Sequence, residues 1–89
     1  MEPPERRALG FPCEFPIKAL GRAGPGFRDQ VVEIVSRHVA GIPDERVTSR
    51  PSQGGRYTSV TVRVTASSQG QLDAIYRELS ACEQVLMVL

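Results

Sequence analysis

The chain is poor in the side chains that most site chemistry requires. Among its 89 residues there is one histidine, His38, and there are two cysteines, Cys13 and Cys82, near opposite ends. No CxxC pair or zinc-type spacing is present, so histidine and cysteine alone cannot supply the ligand count of a zinc site. The sequence also lacks a GxxxxGK[ST] phosphate loop and a GxGxxG fingerprint. Ser59, His38 and Asp29 match a hydrolase triad by residue type, but no nucleophile-elbow signature accompanies them. No stretch approaches the roughly 20 apolar residues of a membrane span. The segment from Met1 to Gly10 holds Glu2, Pro3, Pro4, Glu5, Arg6 and Arg7, and no apolar core region of a signal peptide follows it. The expectation is a cytoplasmic protein with reduced thiols, no metal, no cofactor and no catalytic activity.

Charge of either sign is also nearly balanced. The formal net charge is +1 and Lys18 is the only lysine, so no global field draws the chain to nucleic acid or anionic lipid. The distribution is less even. From Arg46 to Leu72 there is no acidic residue but there are four arginines, Arg46, Arg50, Arg56 and Arg63. They are read either as an anion-facing patch or as a solvated face.

What the sequence does contain is clear periodicity. Residues 1–12 read as a flexible tail, rich in proline and charge, ahead of a single domain over 13–89. Phe15, Ile17 and Ala19 alternate with Pro16, Lys18 and Leu20, which predicts a strand whose regular pairing begins after Pro16. Gly21 to Gly26 is a turn, with Pro25 suited to the first turn of the helix that follows. Over Arg28 to Val39 the spacing of Val31, Ile34, Val35 and His38 extends the apolar side begun at Phe27, and Gly41 and Pro43 terminate the helix.

Asp44 to Arg50 is a weak strand stopped by Pro51, and Ser52-Gln53-Gly54-Gly55 is a hairpin connection. Val60, Val62 and Val64 mark the strongest strand, over Arg56 to Ala66. Ser67 or Ser68 caps a second helix bearing Leu72, Ile75, Tyr76 and Leu79, and the apolar run to Leu89 is a last strand. The order is β-α-β-β-α-β. The fold class is therefore α+β: a ferredoxin-like sandwich with an antiparallel four-stranded sheet of order 4-1-3-2 and two helices on one face. The predicted core comprises Ile17, Ala19, Val31, Ile34, Val35, Val60, Val62, Val64, Leu72, Ile75, Leu79, Val85 and Met87.

Two resemblances follow from these residues. Gly21-Arg22-Ala23-Gly24-Pro25-Gly26-Phe27 resembles the first strand-to-helix junction of ACT domains, where a Pro-Gly-apolar step opens the helix. Residues 11–89 as a whole resemble the bacterial YbeD-like proteins, a family of unknown function with an ACT-like fold. The matching pieces are Phe11-Pro12, Asp29 to His38, Ser52 to Val60 and Met87-Val88-Leu89. The YbeD-like resemblance implies a cytoplasmic bacterial protein without known catalysis, and the ACT resemblance implies small-effector binding near the first loop. Ala23 and Gly24 precede Pro25 here, where the acidic residue of an ACT loop is absent.

The candidate ligand-binding residues are Gly21, Arg22, Gly24 and Gly26, because exposed N–H groups at a helix start attract carboxylates; a purely structural turn is the alternative. Arg56, Tyr57 and Arg63 are the candidate interaction residues. The favoured function is a non-enzymatic regulatory or interaction module that senses a small effector or binds a protein partner, with a homodimer across the apolar outer sheet face as the preferred partner. The alternative is a nucleic-acid-binding module using the sheet face with Arg46, Arg50, Arg56 and Arg63. The outer face holds one strand aromatic, since Ser59 and Thr61 stand beside Tyr57 where base-stacking sheets carry more.

Overall fold

A computed structural model describes residues 10–89; the proposed tail over residues 1–12 lies mostly outside the described residues. The elements are β1 (Cys13–Arg22), α1 (Phe27–Ser36), a short 3₁₀ turn (Asp44–Arg46), β2 (Val47–Pro51), β3 (Tyr57–Ala66), α2 (Gln69–Ala81) and β4 (Val85–Val88). The four strands form one antiparallel sheet of order β2-β3-β1-β4, which is the predicted order seen from the other edge. With two helices packed on the sheet, the arrangement is α+β and ferredoxin-like.

Parity along β1 and β3 separates two faces. Ile17 pairs with Val62 and Ala19 with Val60, and all four are fully buried with Val31, Val35, Leu72, Ile75 and Leu79 of the helices. The intervening residues, among them Lys18, Thr61 and Arg63, lie on the opposite, open face. Burying the β-branched side chains of β3 is worth about 1.5–3 kcal/mol each, which makes this strand the centre of the core.

Several local expectations are corrected, the first at the start of the sheet. β1 starts at Cys13, so Pro16 lies inside it, opposite Arg63. Lys18 exchanges backbone hydrogen bonds with Leu89, at 2.8 and 3.4 Å, on the β4 side. The Pro16 nitrogen, two residues earlier, faces that same side beyond the reach of β4, so its missing N–H removes no ladder bond. Second, Met87 is 51% exposed and outside the core. The register of β4 on β1 shifts between Leu20 and Gly21, with Leu20 opposite Met87 and Gly21 opposite Val85. This bulge turns Val85 inward and leaves Val88 packed against the core, where simple alternation would have buried Met87.

Third, α1 ends at Ser36 rather than Val39. Arg37 and His38 donate to the carbonyls of Ile34 and Val35, so the last turn tightens into i→i−3 bonds before Gly41. Fourth, Pro25 precedes the helix: Gly26, at φ 89°, is the N-cap and Phe27 the first helical residue. The strand expected over Asp44 to Arg50 starts only at Val47, after the 3₁₀ turn, and takes in Pro51, which pairs with Thr58; Gly21 and Arg22 belong to β1 rather than to the turn. Ser68 caps α2 by accepting from the Gln71 N–H. Gly54 and Gly55, both at positive φ, carry the β2–β3 hairpin.

Candidate functional site

The junction between β1 and α1 is built from three glycines with three different circumstances. Gly21 is buried, and a Cβ there would overlap the Phe27 ring and sit 2.5 Å from the Gln84 carbonyl oxygen. Gly26 has open space around it, but its φ of 89° is a conformation that a side chain resists. Gly24 has open space and no positive φ. Gly21 and Gly26 are thus explained by packing and turn geometry. Only Gly24 has no such demand on it.

Between Arg22 and Phe27 the backbone leaves the sheet. The Ala23 N–H donates to the Arg56 carbonyl at 2.9 Å, a last bond beyond the Arg22–Tyr57 pair. Gly26 provides no side-chain cap, and the first helical bond runs from the Gln30 N–H to the Gly26 carbonyl at 2.9 Å. The N–H groups of the first turn therefore lack intrahelical partners, as at every helix start, and the positive end of the helix dipole lies there. Beside them is a groove of about 490 Å³. One wall is Arg22, Gly24, Pro25, Gly26, Phe27 and Gln30; the other is Glu83 and Gln84 from the connection into β4, with Leu86 of β4 itself. The groove so gathers a guanidinium, a carboxylate and apolar surface. Of the four candidate ligand-binding residues, it brings Arg22, Gly24 and Gly26 together; Gly21 lies beneath the Phe27 ring.

The four arginines of the acid-free run, read either as an anion-facing patch or as a solvated face, take different positions. Arg46 donates to Glu14 Oε2 at 3.0 Å and to the Arg63 carbonyl at 3.4 Å, and Arg63 lies 3.7 Å from Glu14. Arg56 is exposed in the hairpin end, with its carbonyl held by Ala23. Arg50 and Tyr57 stand on the open sheet face, opposite Ser59 and Arg22 respectively. Reading by sequence block missed Lys18 and Arg22 as their companions; the alternation of β1 was the signal that could have found them.

His38 ties the helices together. Its Nε2 is 2.7 Å from Glu78 Oε1, while Arg37 pairs with the other Glu78 oxygen. Gln71 Nε2 donates to the His38 carbonyl at 2.7 Å, and Gln71 Oε1 accepts from the Ser67 N–H at 2.7 Å. Ser59 is on the open face of the sheet and Asp29 in the first turn of α1, paired with Arg28 at 3.6 Å, so the three triad residue types are not brought together. Among the described residues no cluster of three or more metal-ligating side chains occurs, and no helix is long and apolar enough to cross a membrane.

Comparison with known proteins shows the family. A family model described as "Protein of unknown function (DUF493)" matches residues 6–89. A UPF0250 protein of Paraburkholderia phymatum is 43% identical over 89 residues, covering all of both chains. A UPF0250 protein of Shewanella sediminis is 48% identical over 81 residues, covering 91% of this chain and 90% of its own. One from Pseudomonas aeruginosa is 46% identical over 90 residues, covering 100% of this chain and 94% of its own. With a family model spanning nearly the whole chain and relatives aligned end to end, the chain belongs to the DUF493/UPF0250 family of uncharacterised bacterial proteins, in line with its YbeD-like resemblance.

Proposed function

We propose that residues 13–89 act as a non-catalytic, cytoplasmic regulatory module that binds a small carboxylate effector in the groove at the start of α1. The observation that carries this reading is the meeting of Arg22 and the start of α1, which has no side-chain cap, in one groove with Glu83 on its far wall. Arg22 and the first-turn N–H groups suit a carboxylate. Glu83 suits a cationic group on the same ligand, and Phe27 with Leu86 suits an apolar body. A free amino acid has this chemistry. The non-catalytic reading is supported by His38, whose Nε2 is engaged by Glu78 in the interhelical tie.

The test is an amide chemical-shift titration with amino acids, keto acids and mononucleotides. Amino acids are expected to perturb Arg22 to Gln30 together with Glu83 to Leu86, and Arg22→Ala is expected to weaken the effect at least tenfold. Silence of those amides with every compound would remove the effector pocket.

A second reading, association with another copy, is favoured by the edge strand β4. Leu86, Met87 and Leu89 are 51%, 51% and 62% exposed along it. Exposed apolar edges invite strand pairing. Light scattering across a concentration series is expected to show a dimer that Met87→Lys dissociates; a monomer at every concentration counts against it.

A further inference from the structure

The open face of the sheet carries a second polar site, away from the groove. Two rows cross it. Lys18 pairs with Thr61, which pairs with Thr48; Leu20 pairs with Ser59, which pairs with Arg50. Lys18, Thr48, Arg50, Ser59 and Thr61 line a shallow depression of about 250 Å³. It holds two cations, three hydroxyls and no carboxylate. Neither Lys18 nor Arg50 has a carboxylate partner among the described residues.

The nearest acid along β1 on this face, Glu14, is engaged by Arg46 and Arg63. In the neighbouring row Arg22 faces Tyr57, and at the other end Arg63 stands opposite Pro16. The strand residues of this face thus include Lys18, Arg22, Arg50 and Arg63 against Glu14 alone, in a chain whose formal net charge is only +1. The concentration of positive charge is a property of the fold, since alternation along three strands sorts these residues onto one side.

We propose that the depression between Lys18 and Arg50 is a phosphate-binding site. A phosphate presents several acceptor oxygens in a tetrahedron. The Arg50 fork can donate two parallel bonds, Lys18 adds a compact charge, and three hydroxyls supply rotatable donors. A single carboxylate could use fewer of these donors. The site suits either a small phosphate ester or a phosphate of single-stranded nucleic acid. In the second case Tyr57 and Arg63 contact the continuing strand, with Tyr57 as a stacking surface.

The experiment titrates the full chain, observed by amide chemical shifts, with inorganic phosphate, a 12-nucleotide oligouridylate and, as the polyanion control, oligoglutamate. Phosphate is expected to shift Lys18, Thr48, Arg50, Ser59 and Thr61, whatever it does at the groove over Arg22 to Gln30. Arg50→Glu and Lys18→Gln, both at exposed positions, are expected to abolish these shifts while the remaining spectrum stays native. Binding of phosphate but not of the oligonucleotide assigns the site to small phosphate esters. Oligonucleotide binding through four phosphate contacts would weaken about 50-fold between 50 and 200 mM salt, assigning it to nucleic acid. No response to phosphate or oligonucleotide overturns the proposal, as does equal binding of oligoglutamate or binding that survives both substitutions. Because the readout residues differ from those of the groove, either site can fail without the other.

Discussion

Gly21 offers the sharpest test of how this fold is held. The substitution Gly21→Ala places a Cβ against the Phe27 ring and 2.5 Å from the Gln84 carbonyl oxygen, where ordinary contact begins at 3.4 Å. The ring can tilt, but the carbonyl belongs to the backbone leading into β4 and must retreat by about 1 Å. That displacement opposes the pairing of Val85 with Gly21 itself. Overpacking of this kind costs about 3 kcal/mol, the upper part of the range for an added methyl in a packed core. For a domain of 89 residues this corresponds to a melting temperature lower by roughly 12–24 °C. Thermal and urea unfolding followed by circular dichroism would measure it. Gly24→Ala is the matched control: open space and no positive φ keep its effect within about 0.5 kcal/mol. Phe27→Leu is destabilising alone, yet combined with Gly21→Ala the losses fall short of additivity by about 1 kcal/mol, because part of the overlap is gone. A Gly21→Ala protein that melts with the wild type, or a Gly24→Ala protein that falls with it, refutes the packing argument.

Three further outcomes follow from other contacts. Ser68→Ala removes the oxygen that accepts the Gln71 N–H and lowers stability by about 1 kcal/mol in urea titration, whereas Ser67→Ala leaves its own N–H to Gln71 intact and costs less. Leu79→Ala, at a fully buried position of α2, costs about 2–5 kcal/mol, and an effect under about 1 kcal/mol would contradict its place in the core. Burial raises the Tyr76 phenol above its ordinary value of 10.0. The unfolded chain therefore ionises first, so this contribution is intact below the unfolded value and is lost as pH rises through the folded one. Tyr76→Phe should flatten the alkaline fall in stability; unfolding midpoints of the two proteins running parallel from about pH 9 to about pH 11 would contradict this.

The elements that the sequence announces best are those whose pattern and environment agree. The valine alternation of β3 and the apolar spacing of α2 report burial directly, since each is packed along its length on one side. The misjudged places depend on neighbours. Pro16 looks like a strand breaker until its nitrogen is known to face the side that β4 does not reach. Met87 fits the buried parity until a bulge shifts it. For the groove, the glycine-rich loop and Arg22 were readable, but Glu83 and Leu86 come from the start of β4 and the residues before it, some sixty residues away, and no local pattern links them to the loop. The open face shows the same limit. The acid-free block from Arg46 to Leu72 is continuous only along the chain, while the sheet breaks that run up, neutralises Arg46 with Glu14, and adds Lys18 from β1.

The strand order also has a kinetic meaning. β1, made first, is flanked on one side by β3 and on the other by β4, the last strand in the chain. Its edge at Ala19 to Gly21 stays unpaired until Val85–Val88 are in place. The two halves of the chain therefore cannot finish folding in succession. Until β4 docks, the central strand stays open on one side, and Leu86 of that same strand also lines the groove. The last pairing of the sheet and the closing of that groove are thus one event in space.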